Sequence, residues 1–483
     1  MSRTFLPWNV DQTWLLPPSV HELVPPGHLA HFVRELVREE LDLGAVLSDY
    51  RGAAGAPAFH PALMTALLLY AYTQGVHSAR KIARACEQRV DFMAVTALAK
   101  PDFRTIALFR QRHRKALAGL FVQVLVLCQR AGLVTLGHVA LDGTKVQANA
   151  SRHKAMSYER MVKREPELAA EVEDWFATAQ AADASDDEAL GADRRGDELP
   201  DWVVQKQRRL EHLRRAKAEL EAEAAAQAAA EERATGAPQA DGLEAAAPRA
   251  DQREAAASQA DGLEAGAPAE EERAAGAPEG AAPAAAPAPP LPAPKAQRNF
   301  TDPESRIMKT HDGWQQCYNP QAAVDSAAQI IVATYVTNRG TDRQEMLPLL
   351  DAVAANLGRY PGQVSADSGY YSDANVRGAA ARGVDPYVAT GRQRHGQASA
   401  TGASPPARES ATRAAMRAKL SGGGWESPYH LRKQTVEPVF GQIKAARGFR
   451  QFLTRGLANV EAEWQLVCCA HNVLKLAQWV VGG

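Results

Sequence analysis

The pattern of apolar and polar positions predicts a helical region over the first 135 residues. Leu63 and Leu67 belong to an apolar series at helical spacing, a break follows at Gly75, and Ser78 can cap a second helix. Two helices joined by a short glycine-containing turn form the pattern of a helix-turn-helix unit. Residues 1–135 are therefore expected to be an all-α domain of helix-turn-helix-like, DNA-binding type.

Beyond this region the pattern changes to short apolar runs that are typical of buried strands. The first run, Val139–Leu141, ends on Asp142, and a later run in "GQVSADSGYYS" ends on Asp367. Two further runs cover about 321–326 and 329–337, and "VDPYVATG" gives a fifth. A carboxylate at the end of a buried strand points to a cleft, although an ordinary Asp-Gly turn explains Asp142 equally well.

The middle of the chain has a different composition. Residues 156–234 are rich in Glu, Arg, Lys and Ala and predict a charged helical insertion, whereas 235–297 are rich in Ala, Pro, Gly and Glu and predict a disordered linker. Asp142 and Asp367 are 225 positions apart, and removing the 145 residues from 156 to 300 leaves 80. That length suits the order strand, strand, strand, helix, strand, so 136–155 and 298–481 are expected to form one mixed five-stranded sheet with helices.

A third acid lies in a C-terminal helix, "TVEPVFGQIK". Thr435 can cap a helix there, and Pro438 is tolerated in a first turn. Glu437, Gly441 and Lys444 follow at i, i+4 and i+7, which places them on one face of a continuous helix.

Composition excludes several classes of protein. The chain has 483 residues, a formal net charge of −1 and five cysteines. The cysteines form no pair typical of a zinc site or a disulfide framework, and no apolar run reaches the ~18 residues of a membrane span. The N-terminus lacks the pattern of a signal peptide. We therefore expect a cytoplasmic protein of more than one structural unit that does not enter membranes.

Basic residues are concentrated near the predicted helix-turn-helix unit and beside the third acid. A helix starting near Thr105 carries no acid between 104 and 115, which favours contact with DNA phosphates over the alternative of a solvated face. His311 and His471 are expected to be solvated or structural histidines rather than catalytic bases. The candidate DNA-contacting residues are Arg80, Lys81, Arg110, Arg112, Arg114, Lys115, Lys433 and Arg447.

Four stretches together resemble bacterial insertion-sequence transposases of the Asp-Asp-Glu (DDE) class: "VALDGTKVQANAS", "CYNPQAAVD", "SADSGYYS" and "TVEPVFGQIK". The segment "FHPALMTALLLYAY" also resembles the helical N-terminal domain of these enzymes. The resemblance implies an RNase H-like catalytic core that cleaves and transfers DNA strands at the ends of its own element. It also implies that Asp142, Asp367 and Glu437 are the catalytic acids.

The carboxylates of a cluster repel one another unless cations are present. Oxygen ligands select hard ions such as Mg²⁺ or Mn²⁺. We therefore expect two such ions at Asp142, Asp367 and Glu437, with Lys444 positioning the phosphate. The expected partners are double-stranded DNA, namely the terminal inverted repeats and the target, and further copies of the chain in a homodimer or larger synaptic complex.

The family motif also has a Tyr seven residues and an Arg four residues before the Glu, where this chain has His430 and Lys433. Tyr429 and Arg432 lie one residue out of register. The alternatives are an RNase H-like nuclease or resolvase, a DNA-binding regulator, and a catalytically inactive DNA-binding relic.

Overall fold

A computed structural model describes residue 19 and the ranges 22–50, 58–190, 201–235, 290–391, 400–402 and 408–482. The chain divides into two compact units, one comprising residues up to Met156 and from Gln297 onward, the other Ser157–Ala296. The predicted mixture of helices with a mixed sheet is confirmed. Most of the predicted disordered linker, 236–289, lies outside the described residues.

The N-terminal part of the larger unit is helical, as predicted. The pair predicted from the glycine break forms as two helices, and the glycine between them, Gly75, has φ +71°. A Cβ on Gly75 would lie 2.7 Å from the carbonyl oxygen of Arg447, so the break is also a point of close backbone approach. The helices are α1 (Leu29–Glu35), which continues as a π-helical turn (Leu36–Glu40), α2 (Gly44–Leu47), α3 (Pro61–Thr73), α4 (Ala79–Gln88), α5 (Val90–Thr96), α6 (Phe103–Arg112) and α7 (Arg114–Arg130).

The basic segment predicted as one helix from Thr105 is two helices. α6 begins at Phe103 because the Asp102 carboxylate accepts from the backbone N–H groups of Arg104 at 2.5 Å and Thr105 at 3.2 Å. It ends at His113, whose buried ring stacks on Tyr50 with 5.5 Å between centroids. The basic residues of the segment are therefore divided between the end of α6 and the first turn of α7.

The sheet brings strands from both sides of the insertion together. Its strands are β1 (His138–Gly143), β2 (Val146–Gln147), β5 (Arg306–Thr310), β6 (Gly313–Asp325), β7 (Ile331–Thr337), β8 (Gln363–Ala366) and β9 (Asp385–Val388), while β3 (Ala155–Ser157) pairs with β4 (Gln297–Asn299). β6 runs antiparallel to β1, β2, β5 and β7, whereas β1, β8 and β9 are mutually parallel. Across the sheet, the longer strands follow the order β7, β6, β1, β8, β9.

The prediction of five strands is wrong in number, because the described sheet has seven. The predicted strand at 321–326 is only the end of β6, which begins at Gly313 with φ +92°. The first half of β6 pairs with β5 in a hairpin and with β2. Sequence patterning missed this extension because "GWQQCYN" does not alternate between apolar and polar residues.

Long helices complete both units. The smaller unit contains α8 (Tyr158–Leu190) and α9 (Asp201–Thr235), joined by ion pairs such as that between Lys217 Nζ and Glu165 Oε2 at 2.8 Å. The larger unit adds α10 (Met346–Leu357), α11 (Asp373–Ala381), α12 (Ala411–Gly422), α13 (Leu431–Gly441), which continues as a π-helical turn (Gln442–Ala446), and α14 (Leu457–Gly482).

α14 connects the N-terminal helices to the sheet, because it packs against α3, α7 and β7. Trp464 is fully buried on it, and Cys468 and Cys469 are buried core residues. The sequence boundary near residue 135 therefore separates two parts of one compact unit. None of the described helices is long and apolar enough to cross a bilayer.

Candidate active site

The two predicted strand-end aspartates lie at neighbouring positions of the sheet. β1 and β8 are parallel, with Ala140 opposite Ser365. Asp142, still within β1, and Asp367, the first residue after β8, each lie two positions beyond this pair, and Asp367 is close enough to contribute to the raised pKa of Asp142. Side chains that face each other across neighbouring strands project from the same face of the sheet. Both apolar runs form strands as predicted, with Asp142 the penultimate residue of β1 and Asp367 the residue that follows β8.

The surroundings of Gly143 explain why a glycine follows Asp142. Its backbone does not adopt a positive φ, so an ordinary turn requirement does not account for it. A Cβ at this position would lie 2.7 Å from Asp342 Oδ1 and 3.0 Å from Asn319 Oδ1. The missing side chain therefore makes room for polar groups of the neighbouring strand and loop to approach the strand end.

The third acid, Glu437, reaches the first through an arginine. Arg432 Nη1 donates to Asp142 Oδ2 at 3.1 Å, and Arg432 Nη2 donates to Glu437 Oε1 at 3.0 Å. The Arg432 side chain is 12% exposed, that of Asp142 18% and that of Glu437 46%. The guanidinium thus makes charge-assisted hydrogen bonds to two acids, the largely buried Asp142 of the sheet and the half-exposed Glu437 of α13.

The helix that carries Glu437 begins earlier than predicted. α13 starts at Leu431, and Thr435 lies inside it with its hydroxyl donating to the Leu431 carbonyl at 2.7 Å instead of capping the helix. Pro438 is also internal and cannot donate to the carbonyl of Gln434. Gln329 Nε2 donates to that carbonyl at 2.8 Å, so a contact from another part of the chain allows the proline in the helix.

Lys444 does not share a regular helix face with Glu437, because α13 ends at Gly441 and a π-helical turn follows. Its ammonium donates to Thr144 Oγ1 at 2.6 Å and to the Lys145 carbonyl at 2.7 Å. Lys444 is therefore hydrogen-bonded to the turn between β1 and β2. This turn follows Asp142, so Lys444 is associated with Asp142 and not with Glu437.

Three residues near this cleft were missed or set aside at the sequence level. Arg432 is one position out of register with the expected motif, and only the true start of α13 and its contacts reveal its role. Asp342 lies in the loop between β7 and α10, where no apolar pattern marks it, although it too follows the end of a strand. Lys145 follows Asp142 by three residues, and its Nζ lies 3.9 Å from Asp342 Oδ1.

The electrostatics of the cleft are dominated by burial of its acids. Burial raises the pKa of Asp142 to about 7, with Asp367 and Asp342 adding to the shift and Arg432 opposing it. Burial also raises the pKa of Asp367, again against the effect of Arg432 and with a contribution from Asp342. Burial lowers the pKa of Lys145 and of Lys444. The carboxylates therefore repel one another, and the Arg432 guanidinium compensates them in part.

The described residues contain no group of three or more His, Cys, Asp or Glu side chains placed to hold a metal ion. The positive charge paired with both Asp142 and Glu437 is the Arg432 guanidinium. The donor chemistry nevertheless fits a hard divalent cation, because Asp142 and Asp367 offer only oxygen atoms and the negative charge of Asp367 raises the pKa of Asp142.

Five of the eight basic residues predicted to contact DNA are exposed. They are Arg80, Lys81, Arg112, Lys115 and Lys433. Arg112 is also bonded within the protein, through Nη2 to the Asp49 carbonyl at 2.9 Å. Arg114 is partly buried and donates to Asn459 Oδ1.

The other two basic residues are bonded inside the protein. Arg110 is partly buried and donates to Tyr72 Oη and to the His77 carbonyl, both at 3.1 Å. Arg447 is 9% exposed and donates to His471 Nδ1 at 3.2 Å. These contacts give Arg110 and Arg447 a structural role, because a guanidinium held in this way cannot reach DNA without rearrangement.

The two histidines are as expected. His471 is buried, with Nε2 donating to the Gln329 carbonyl at 2.9 Å, and burial together with Arg447 lowers its pKa to about 3. His311 is fully exposed beside Asp312. The surroundings of both side chains fit a structural and a solvated histidine, respectively.

Comparison with known proteins gives two matches. Residues 18–112 match the family described as a transposase domain (DUF772), and residues 394–477 match the family described as a transposase DDE domain. The second match covers α12, α13 and most of α14, including Glu437, but not the strands that carry Asp142 and Asp367. No curated protein and no solved structure matches the chain. The two family matches confirm the resemblance that was inferred from sequence motifs.

Proposed function

We propose that this insertion-sequence transposase of the DDE class binds the ends of its own element and catalyses divalent-metal-dependent cleavage and transfer of DNA strands. One observation carries the proposal. Asp367 lies close enough to Asp142 to raise its pKa, and Arg432 donates to both Asp142 and Glu437 of α13. These contacts support a shared role for three acids that are distant in the sequence.

The catalytic core is proposed to be RNase H-like. The order of elements along the chain is β1, β6, β7, α10, β8 and β9, followed by the helix with Glu437. This is the order expected from the sequence once the insertion is removed. β2 and β5 extend that core on the side of β6.

Asp142, Asp367 and Glu437 are the residues proposed to hold divalent ions, two in number, with Mg²⁺ or Mn²⁺ as the expected species. Bound ions of this kind activate an attacking hydroxyl and stabilise a leaving oxygen in phosphodiester chemistry. For Glu437 to serve as a ligand, its contact with Arg432 must give way, and the half-exposed position of Glu437 leaves it free to do so.

DNA is proposed to contact the exposed members of the predicted basic set. Arg80 and Lys81 lie at the start of α4, Arg112 at the end of α6, Lys115 in the first turn of α7, and Lys433 beside the acid-bearing segment of α13. Arg110 and Arg447 are left out of this set because their guanidinium groups are bonded inside the protein. A homodimer or larger assembly would bring two element ends together.

The test uses the purified full chain and labelled duplexes that carry the element's own ends. We expect cleavage at the ends with Mg²⁺ or Mn²⁺, none in EDTA, and joining of the cut ends to a target duplex. Hydrolysis without joining would favour the nuclease or resolvase alternative. End binding without cleavage in any divalent ion would favour the inactive relic.

A further inference from the structure

A lysine with unused hydrogen-bond donors lies beside the acids Asp342, Asp367 and Asp142. Lys145 belongs to the turn between β1 and β2, and its side chain is 23% exposed. Within the described part of the chain, its Nζ atom is buried and has no hydrogen-bond partner. The three N–H groups of an ammonium require acceptors when they are removed from water, so this position is costly as it stands.

The adjacent carboxylate does not satisfy this ammonium. Asp342 Oδ1 lies 3.9 Å from Lys145 Nζ, which is beyond hydrogen-bond distance. The same oxygen accepts from Asn319 Nδ2 and from Gln321 Nε2, each at 2.7 Å. Asp342 is therefore hydrogen-bonded to the two side-chain amides. It attracts the Lys145 ammonium but accepts no hydrogen bond from it.

The backbone that carries Lys145 is fixed on both sides. Thr144 N donates to the Pro320 carbonyl at 2.9 Å, and Val146 pairs with Tyr318 of β6. Lys444 adds two bonds to the same turn, through Thr144 Oγ1 and the Lys145 carbonyl. Two of the three donors of Lys444 are thus committed to the protein, whereas those of Lys145 are not.

We propose that Lys145 contacts the phosphate that is cut, and that Lys444 is a positioning residue that holds the turn of Lys145 in place. This inference rests on the proposed strand-cleavage function. An ammonium that donates to a non-bridging phosphate oxygen stabilises the charge that develops there in the transition state. The phosphate-positioning role expected for Lys444 from the sequence is thereby assigned to its neighbour Lys145.

Single-turnover cleavage of an element end tests the assignment. Lys145→Met keeps the apolar stem and removes the charge, and it should lower the cleavage rate by ~10²–10³-fold, the usual effect of removing one such donor. The dissociation constant for end DNA and the melting temperature should stay close to the wild-type values. Lys145→Arg should recover part of the rate, and Lys309→Ala, which removes an exposed lysine of β5, is the matched control.

A chemical change in the DNA separates contact from mere structural support. A methylphosphonate at the cut position replaces one charged non-bridging oxygen with a neutral methyl group and should slow the wild-type protein. In Lys145→Met the same replacement should cost far less, because no ammonium at residue 145 is left to donate to that oxygen. Lys444→Ala should slow cleavage, and the double variant should be no slower than Lys145→Met alone.

Cleavage by Lys145→Met at the wild-type rate would overturn the assignment, as would a methylphosphonate effect that persists in full in that variant. A methylphosphonate effect that disappears only in Lys444→Ala would return the phosphate contact to Lys444. If the wild-type protein does not cleave element ends at all, the proposed function fails, and this outcome is distinct from failure of the lysine assignment.

Discussion

At the scale of single residues, the cleft depends on charge balance between a few buried groups. Asp367 raises the pKa of Asp142, whereas Arg432, which donates to Asp142, lowers it. The sequence alone singled out both acids as candidates because each follows an apolar run. It could not identify Arg432, because the partner of a helical side chain depends on where the helix starts and how it packs.

The raised pKa of Asp142 predicts a specific dependence of stability on pH. An acid whose pKa is raised to about 7 on folding binds its proton more tightly in the folded state. This tighter proton binding contributes to the free energy of unfolding. The contribution is fully present below the pKa of the unfolded state, ~3.9, and is lost as the pH rises through the pKa of the folded state. An asparagine does not titrate, so Asp142→Asn removes this loss. The free energy of unfolding of the variant, relative to that of the wild type, should therefore rise by on the order of 2 kcal/mol between pH 5 and pH 8.

Urea unfolding of both proteins in EDTA measures this difference. A stability difference that stays constant over the whole pH range would show that Asp142 has an ordinary pKa in the folded protein. Asp351→Asn is a useful control, because Arg382 pairs with that carboxylate and its pKa is lowered rather than raised.

Arg432 and Lys433 give a prediction about which residue assists the acids. Arg432 lowers the pKa of Asp142 and contacts both acids, whereas Lys433 is exposed. Arg432→Ala should therefore move the acid limb of the pH–cleavage profile to higher pH and reduce the maximal rate. Lys433→Ala should weaken DNA binding without moving the profile, and a shift in the second variant but not the first would reverse the assignment.

At the scale of elements, apolar patterning predicted most helices and strands, and it failed where distant contacts decide. The strands that lead to Asp142 and Asp367 and the helix closed by Gly358 follow from local sequence. The start of α13 does not, because Gln329 supplies the donor that makes Pro438 acceptable inside a helix. The π-helical turn after Gly441 likewise redirects Lys444 in a way that residue spacing cannot show.

Some of the basic residues are exposed and others are hydrogen-bonded inside the protein, so substitutions in the two groups should have different effects. Replacing Arg80, Lys81, Arg112 and Lys115 together with Ala should flatten the salt dependence of end binding, by ~0.9 in log–log slope for each phosphate that is no longer neutralised. Arg110→Ala should instead lower stability by about 2 kcal/mol, because it strips a charged donor from the buried Tyr72 and from the His77 carbonyl. Binding measured from about 50 to 300 mM salt, with unfolding curves for each variant, separates the two, and an unchanged slope would make the exposed set a solvated face.

At the scale of the whole molecule, the N-terminal helices and the sheet share a core through α14, while the insertion forms its own unit. The sequence predicted an insertion from a change in composition but did not reveal that the residues at its C-terminal end are built into structure. Pro292 is buried, and Gln297–Asn299 form β4.

Two deletions test this division. Removing 240–285, whose composition cannot supply a core, should leave the melting temperature almost unchanged. Removing 290–299 should lower it clearly, because that deletion takes away β4 and the contacts made by Asn299, whose Nδ2 donates to the Ser151 carbonyl at 2.7 Å. Equal effects of the two deletions on the melting temperature would contradict this division of the chain.

The claim that three acids form one catalytic site is tested most directly by cleavage of a labelled element end with Asp142→Asn, Asp367→Asn and Glu437→Gln, each beside a binding gel. These changes keep the size of each side chain and remove its charge. Every variant should bind the end as the wild type does and fail to cut it with Mg²⁺ or Mn²⁺, since loss of any one ligand disrupts the same site. Cutting at the wild-type rate by any one of the three would contradict the account.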